Sequence, residues 1–486
     1  MEQLSPLDAS FLFSENERVA NHIGGLYIYD QSTVPGGALR FRQILRYLEA
    51  RLHKTPRLRQ KLARVPLDLD YPYWVDDSRF DIEYHVRHLA LPKPGDWRQL
   101  CILASRLHDR PLDLHRPLWA LYVIEGLDNV EGLPPDSFAI VTKLHHAALD
   151  GVSAVSTNTS LHETEPGLRI GQALPWTPEP EPSPLDLLFR AHLNYLAQPF
   201  RLLNTLAESV PAQTRFLASF GEESFTSPRS VAVPRTRFNR DTSGRRVING
   251  ISYDLPALRR IKEALPGATV NDVMLALTGG ALRRYLKAKN DLPDEAMVAL
   301  VPVSVRSPDA EGPTGNEVIA MLASLGTDEA DPRRRLEAVH TSTFSSKALT
   351  NAIGTRLLTD YQQFLPAATS GMFSRFFAQM RQAGPAAPAF NTVLTNVPGP
   401  QHPLFFCGAR LVNQYGLGMI QDGVGLFHTV FSYDGKLTLT AVSDREMMPD
   451  PEFYMSCFRD SFEELRAATR PAPRPRPKAA TAPARA

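Results

Sequence analysis

A proline-rich segment divides this chain into two regions that both mix helices and strands. The segment covers residues 164–185, TEPGLRIGQALPWTPEPEPSPL, and its prolines and glutamates are typical of a linker. The whole chain has 486 residues, which is too long for a single compact core. We therefore expect two domains with mixed α/β sheets, one on each side of the linker.

Local patterns place the main elements on both sides. Residues 38–52 repeat apolar side chains at the helical period, whereas 119–125 and 137–144 are rich in β-branched and aromatic residues, as strands are. In the second region, Thr269 is followed three residues later by Asp272, which is the spacing of a capping box before an apolar helix. Further predictions are a strand at 297–305, a hairpin at 430–442 around Asp434-Gly435, and a helix at 451–467.

These patterns divide the chain into four parts. We predict an N-terminal domain at 1–163 and a linker at 164–235 with its proline-rich segment and amphipathic helices. A C-terminal domain follows at 236–470. The tail 471–486 is basic and of low complexity, so it is expected to be disordered.

Composition excludes several classes of protein. The chain has 53 basic and 52 acidic side chains, and this balance argues against a general nucleic-acid binder. Its three cysteines are far apart in sequence, which predicts neither a disulfide framework nor a zinc site and favours the cytosol. The first twenty residues do not resemble a secretory signal, and no apolar run is long enough to predict a transmembrane helix.

The most specific motif is HHxxxDG, which follows the predicted strand 137–144 and runs from His145 to Gly151. A strand end holds a side chain rigidly at the edge of a sheet, and a neutral imidazole there can accept a proton from a hydroxyl group. Asp150 could orient a ring or a loop, and Gly151 permits a tight turn. The alternative is a structural role, which is more common for histidine. Adjacent side chains point to opposite sides, so at most one histidine faces a given cavity, and we predict no metal site here.

Further segments of the sequence, together with this motif, resemble those of a known family. The chain resembles the bacterial wax ester synthase/acyl-CoA:diacylglycerol acyltransferase family over residues 4–467. The segments that carry this resemblance occur in the family's order: LSPLDASFL (4–12), RPLWALYVIEGL (116–127), HHAALDG (145–151), TVNDVMLA (269–276), VPVSVR (301–306) and NVPGP (396–400).

The resemblance implies both a fold and a reaction. The fold is that of chloramphenicol acetyltransferase, with two similar domains facing each other across a central tunnel. The reaction moves an acyl group from acyl-CoA to diacylglycerol or a long-chain alcohol. His146 is then the general base, with His145 in support. Asp150 pairs with an arginine, for which Arg306 and Arg116 are both open. No covalent acyl-enzyme is expected, and no cofactor, since acyl-CoA is a substrate.

The second half contributes four further candidates, all for substrate binding. The resemblance implies that Asn271 and Asp272 face the active-site channel, although their spacing is explained equally well by a helix start. Pro398 and Gly399 belong to the NVPGP segment, which is typical of a turn after a strand. In the family this segment lies near the domain interface, so a role in shaping the substrate passage is expected.

The lipid acceptors imply a peripheral contact with the inner membrane or with lipid inclusions. Candidate segments are 185–210 and 355–381, where basic residues accompany bulky apolar ones, although both faces could instead pack on the protein's own core. Two other functions stay open at this stage. One is a free-standing condensation enzyme that uses a carrier-bound acyl donor, and the other is a lipid-surface protein without catalysis.

Overall fold

The computed structural model describes residues 1–148, 160–197, 233–304, 318–353 and 388–470. The main helices are Pro6–Phe13, Phe41–Glu49, Trp97–Asp109, Leu255–Glu263, Val270–Ala288, Pro332–Ile353 and Pro451–Ala468. The strands, numbered in chain order, are β1 (Glu2–Gln3), β2 (His22–Asp30), β3 (Gln60–Ala63), β4 (Tyr73–Asp76), β5 (Val86–Ala90), β6 (Trp119–Glu125), β7 (Phe138–His145), β8 (Arg246–Asp254), β9 (Val298–Ser304), β10 (Val318–Ser324), β11 (Thr392–Val397), β12 (Phe405–Phe406), β13 (Ala409–Leu417), β14 (Leu426–Tyr433) and β15 (Lys436–Asp444). This mixture confirms the predicted α/β class.

The first six-stranded sheet has the order β12-β13-β2-β7-β6-β5. Its strands are antiparallel except for β5 and β6, and β7 lies between β2 and β6. Apolar residues alternate along the strands, so that one face packs on helix Phe41–Glu49 and the other on helix Trp97–Asp109. The strand that ends at His145 is therefore held by neighbours on both edges and on both faces.

The second six-stranded sheet has the order β10-β9-β11-β14-β15-β8. Its apolar face packs on helices Val270–Ala288 and Pro451–Ala468 in one core. Helix Val270–Ala288 approaches Leu325, which follows β10, closely because Gly279 has no side chain: a Cβ atom there would lie 1.8 Å from the carbonyl oxygen of Leu325. The hairpin of β14 and β15 turns at Asp434 and Gly435, which both have positive φ angles, as predicted from their sequence.

The two halves of the chain share both a sheet and a core. Strands β12 and β13 come from the C-terminal half but extend the first sheet, where β13 pairs with β2. Ile248 and Val442, which belong to the second sheet, pack into the core around helix Trp97–Asp109. The indole Nε1 of Trp97 also donates a hydrogen bond of 2.9 Å to Asn249 Oδ1. The domain boundaries at 163 and 236 stay predictions, and so does the central tunnel between the domains.

The third sheet is small and lies beside the linker. It has the order β1-β4-β3, and the helical residues 184–197 pack on it through Leu187 and Ala191, which contact Val65 and Tyr73. This confirms a helix in the first part of the predicted amphipathic segment. The rest of that segment, the predicted segment 355–381 and the tail lie outside the described residues.

Candidate active site

His146 lies directly beyond the end of β7, in a turn that also contacts the N-terminal helix. Its imidazole stacks on the ring of Phe11, with centroids 4.1 Å apart and an angle of 28° between the planes. Its backbone amide donates a hydrogen bond of 2.9 Å to the carbonyl oxygen of Asn21, just before β2. The ring is half-buried. A histidine in this position is fixed by both its backbone and its ring face.

His145 is the last residue of β7 and is fully buried. Its Nδ1 atom accepts a hydrogen bond of 3.0 Å from the amide of Ala147. Its Nε2 atom lies 3.2 Å from Glu15 Oε1, without the alignment of a full hydrogen bond. The motif therefore separates the two histidines as predicted, one ring buried behind the strand and the other half-exposed in the turn.

Asn21 connects the His146 turn to both halves of the chain. Its side-chain amide donates to the carbonyl oxygen of Phe11 at 2.6 Å and to Ser14 Oγ at 2.9 Å. Its Oδ1 atom accepts from Gln421 Nε2, a residue of the C-terminal half, at 3.1 Å. Asn21 was not predicted from the sequence, although a polar residue placed between an apolar helix and an apolar strand is a usable signal of a buried hydrogen-bonded position.

A buried cationic cluster lies behind the motif. Lys143, two residues before His145 on β7, donates to the carbonyl oxygens of Leu107 and Arg110 at the end of helix Trp97–Asp109. Burial, with a further contribution from Arg246, lowers the pKa of Lys143 to about 7. The guanidinium of Arg246 donates to the carbonyl oxygens of Ala20 and His108, at 2.9 and 3.1 Å. The cluster thus caps one helix and attaches β8 to the loop that precedes β2.

Asn271 and Asp272 open helix Val270–Ala288, and the predicted capping box is confirmed. Thr269 Oγ1 accepts from the amide of Asp272, whose carboxylate accepts from the amide of Thr269 at 2.8 Å. The same carboxylate accepts from Thr343 Oγ1 at 2.7 Å and lies 3.0 Å from His340 Nδ1. Burial alone would raise the pKa of Asp272, but these hydrogen bonds lower it below the ordinary value.

Asn271 and Asp272 therefore differ in how many of their side-chain atoms are already hydrogen-bonded. The side chain of Asp272 is 2% exposed and already serves three donors, which supports an architectural role. Asn271 is half-buried, and its Oδ1 atom has no hydrogen-bond partner within the described part of the chain. Contact of either residue with a substrate stays a prediction.

Pro398 and Gly399 follow β11, as the turn prediction requires. Pro398 is exposed, whereas the amide of Gly399 donates to Ser432 Oγ on β14 at 3.1 Å. A Cβ atom at position 399 would lie 2.3 Å from the carbonyl oxygen of Ser432, so only glycine permits this approach of the two chains. Their role in a substrate passage stays a prediction.

The remaining motif residues lie outside the described residues. These are Asp150, Gly151 and Arg306, so the structure does not identify the arginine partner of Asp150. Arg116, the other candidate, has its guanidinium 4.8 Å from the ring centre of Tyr84. Over the part of the chain that the structure describes, no three His, Cys, Asp or Glu side chains are grouped to hold a metal ion.

Comparisons with known proteins agree with the motif. A family model described as "Wax ester synthase/diacylglycerol acyltransferase catalytic domain" matches residues 4–274, and one described as "WS/DGAT C-terminal domain" matches residues 314–466. The chain is 33% identical over 475 residues to the "Probable diacyglycerol O-acyltransferase tgs2" of Mycobacterium tuberculosis, covering 96% of this chain and 99% of that protein.

Two solved structures are similar in fold to this chain. One is the "Wax ester synthase/diacylglycerol acyltransferase from Marinobacter aquaeolei VT8", with a TM-score of 0.67 and 28% identity over 96% of this chain and 99% of that one. The other is a trichothecene 15-O-acetyltransferase from Fusarium sporotrichioides, with a TM-score of 0.58 over 96% and 94% of the two chains. At 13% identity the latter is informative about the fold alone.

Proposed function

This chain belongs to the wax ester synthase/diacylglycerol acyltransferase family, and from this membership we propose that it transfers a fatty acyl group from acyl-CoA to diacylglycerol or to a long-chain fatty alcohol. It is an acyltransferase, and its products are triacylglycerol or a wax ester, together with free CoA. The observation that carries the proposal is the HHxxxDG motif with the His146 ring held at the end of a central strand.

The proposed mechanism is direct transfer with His146 as the general base. His146 takes the proton of the acceptor hydroxyl while that oxygen attacks the thioester carbonyl. The tetrahedral intermediate then loses the thiolate of CoA as the carbon–sulfur bond breaks, and the imidazolium returns its proton to the sulfur. General-base catalysis of this kind contributes about 10²–10⁴-fold to the rate. No residue forms a covalent bond to the acyl group in this scheme.

The geometry of the turn supports His146 over His145 as this base. The ring of His145 is fully buried, and its Nδ1 atom already accepts from the amide of Ala147. The ring of His146 is half-buried and held by stacking, which leaves its orientation fixed. A base must be held in one orientation and must still reach its substrate, and of the two rings only that of His146 combines these properties.

Matched substitutions test this assignment. Purified protein is incubated with palmitoyl-CoA and either hexadecanol or diolein, and CoA release and the lipid products are measured. We expect His146→Ala to lower the turnover number at least 100-fold. His115→Ala is the control, because the side chain of His115 is 96% exposed and lies in a surface turn. Folded His146→Ala protein with near wild-type turnover would refute the assigned base.

The acceptors are almost insoluble in water, and we infer that the helical residues 184–197 contact the lipid surface that supplies them. One face of this helix is fixed to the small sheet, and Asn194 donates to Tyr73 Oη and Asp70 Oδ2. The opposite face exposes apolar side chains at helical spacing: Leu185, Phe189, Leu193 and Leu196. Within the described residues, no helix has the length and apolar character needed to cross a bilayer.

The turn that follows Val65, a residue packed on this helix, also exposes apolar side chains. Leu67 is 88% exposed, and its φ angle of 58° is unfavourable for a leucine. Leu69 is exposed too, and Arg190 lies exposed on the helix, as suits an interfacial helix.

Vesicle flotation tests the lipid contact. We expect Phe189→Glu combined with Leu193→Glu to reduce co-flotation with anionic phospholipid vesicles at least fivefold, since each inserted apolar side chain contributes about 1.5–3 kcal/mol when fully buried. Phe344→Glu is the control, because Phe344 is 70% exposed but belongs to helix Pro332–Ile353 of the other half. Unchanged flotation of the double variant would exclude this face.

A further inference from the structure

We propose that Glu15 is a positioning residue for acyl transfer. Its carboxylate oxygen Oε1 fixes Asn21, whose carbonyl oxygen binds the backbone amide of His146, and the same oxygen faces the protonated Nε2 atom of His145. One carboxylate oxygen thus acts on the backbone of His146 through Asn21 and lies close to the ring of His145. The proposal rests on the proposed function only in its kinetic part.

The first contact is with the backbone before β2. Glu15 Oε1 accepts a hydrogen bond of 2.8 Å from the amide of Asn21, and Asn21 is fully buried. On the other side of the same residue, the carbonyl oxygen accepts from the amide of His146 at 2.9 Å. Without Glu15 the buried amide of Asn21 would lose its acceptor, at a cost of about 1–3 kcal/mol, and the loop that binds His146 would shift.

The second contact of Glu15 is with the ring of His145, whose tautomer is set by the amide of Ala147. The amide of Ala147 can only donate, so Nδ1 of His145 must be the acceptor and the ring proton of the neutral imidazole must be on Nε2. That nitrogen lies 3.2 Å from Glu15 Oε1. The ring of His145 is therefore hydrogen-bonded at Nδ1 and faces the carboxylate of Glu15 at Nε2, and it is adjacent in the chain to the proposed base.

A third histidine faces the same oxygen without competing for it. Nε2 of His22 lies 3.8 Å from Glu15 Oε1 and accepts from the amide of Leu112 at 3.4 Å. Burial, with a further contribution from Lys143, lowers the pKa of His22 well below its ordinary value. His22 is thus a neutral ring whose proton is on the far nitrogen, and the oxygen of Glu15 is left to Asn21 and His145.

Three variants separate positioning from general stability. Glu15→Ala removes the acceptor, Glu15→Gln keeps an oxygen in its place, and Glu17→Ala is the control, because Glu17 is exposed in the same loop. For Glu15→Ala we expect a turnover number reduced about 10–100-fold with an almost unchanged KM for palmitoyl-CoA, since a displacement of about 1 Å at a reacting group costs about 10²-fold. Glu15→Gln should recover most of this loss, to within about threefold of wild type.

Nuclear magnetic resonance on protein labelled with ¹⁵N-histidine gives readouts that need no activity. The ring of His145, assigned with a His145→Gln sample, should carry its proton on Nε2 in the wild type. The backbone amide of His146 should exchange with solvent about tenfold faster in Glu15→Ala, whereas the amide of His428 in the second sheet should not change.

Each outcome is decisive for the positioning role. Wild-type turnover in folded Glu15→Ala, a proton on Nδ1 of wild-type His145, or a Glu15→Gln variant as slow as Glu15→Ala would each overturn it. If Glu15→Ala does not fold, the tautomer of the wild type and the rate of Glu15→Gln decide. A wild-type protein without CoA release would refute the proposed function instead, and the tautomer and exchange data would still test Glu15.

Discussion

Removing the carboxylate of Asp272 should destabilise the fold far more than it disturbs catalysis. This carboxylate accepts from the amide of Thr269 at 2.8 Å and from Thr343 Oγ1 at 2.7 Å, and it lies 3.0 Å from His340 Nδ1. It therefore joins the start of helix Val270–Ala288 to helix Pro332–Ile353. Its side chain is 2% exposed, so it has no free surface for a substrate.

The size of the effect follows from what each donor can do in Asp272→Ala. Thr343 retains a second acceptor, the carbonyl oxygen of His340 at 3.0 Å, and the half-exposed ring of His340 can bind water. The amide of Thr269 loses its acceptor in the capping box, at a cost of about 1 kcal/mol, whereas Thr269 Oγ1 still caps the helix. Hydrogen bonds to a charged group contribute about 1.5–3 kcal/mol each. Since two donors are partly compensated, we expect a loss of about 3 kcal/mol, or about 3 °C in the unfolding midpoint of a chain of 486 residues.

Thermal unfolding followed by circular dichroism measures this loss at pH 7.5 and at pH 3, which lies below the ordinary carboxyl pKa of 3.8. Because hydrogen bonds lower the pKa of Asp272, its contribution is present above the ordinary carboxyl range and is lost as the pH falls through the lowered value. The difference between wild type and Asp272→Ala should therefore shrink in acid.

The control for Asp272→Ala is Asp331→Ala. Asp331 is an exposed aspartate that accepts from the amides of Arg333 and Arg334, and its removal should cost about 1 kcal/mol. Asp272→Asn keeps the shape of the side chain and should retain turnover within a few-fold. An unchanged midpoint for Asp272→Ala, or loss of turnover in a fully stable Asp272→Asn, would refute the architectural interpretation.

Two further predictions concern packing and protonation. Gly279→Ala should lower the free energy of unfolding, measured in urea titrations, by about 2 kcal/mol, because its Cβ atom would lie 1.8 Å from the carbonyl oxygen of Leu325. This loss is expected although alanine favours a helix by about 1 kcal/mol. A urea midpoint at or above that of the wild type would contradict this. Burial lowers the pKa of Lys143 to about 7, so above pH 7 this lysine is protonated in the unfolded chain but not in the folded one. The free energy of unfolding should therefore rise between pH 7 and 8.5, by up to about 1.4 kcal/mol per pH unit. Lys143→Met should flatten that rise in urea titrations, and an equal slope in both proteins would show that Lys143 is not the group responsible.

Local signals predicted the local parts of this fold. The strand expected at 119–125 is β6, and the capping box at Thr269 starts its helix as expected. The turn at Asp434-Gly435 joins β14 and β15. These features depend on neighbours within a few residues, so composition and spacing are enough to find them.

The pairing of strands that are distant in sequence could not be predicted from the same local patterns. Strand β13 pairs with β2 across almost 400 residues of chain, and its apolar pattern does not say which sheet it joins. For the same reason the sequence indicated His145 and His146 but missed Glu15 and Asn21. Their roles arise from hydrogen bonds made when the loop before β2 closes on β7, and no periodic pattern records such contacts.

The shared sheet also explains why the proposed base cannot belong to one half alone. His146 is held through Asn21, and the Oδ1 atom of Asn21 accepts from Gln421 of the C-terminal half. The adjacent Ala20 accepts from Arg246, at the start of β8. Both contacts reach the loop from residues that follow the linker, so the position of the His146 ring depends on how the two halves are joined. A substitution at Arg246 or Gln421 therefore acts on the base through the loop before β2, because this loop is the element that both halves hold.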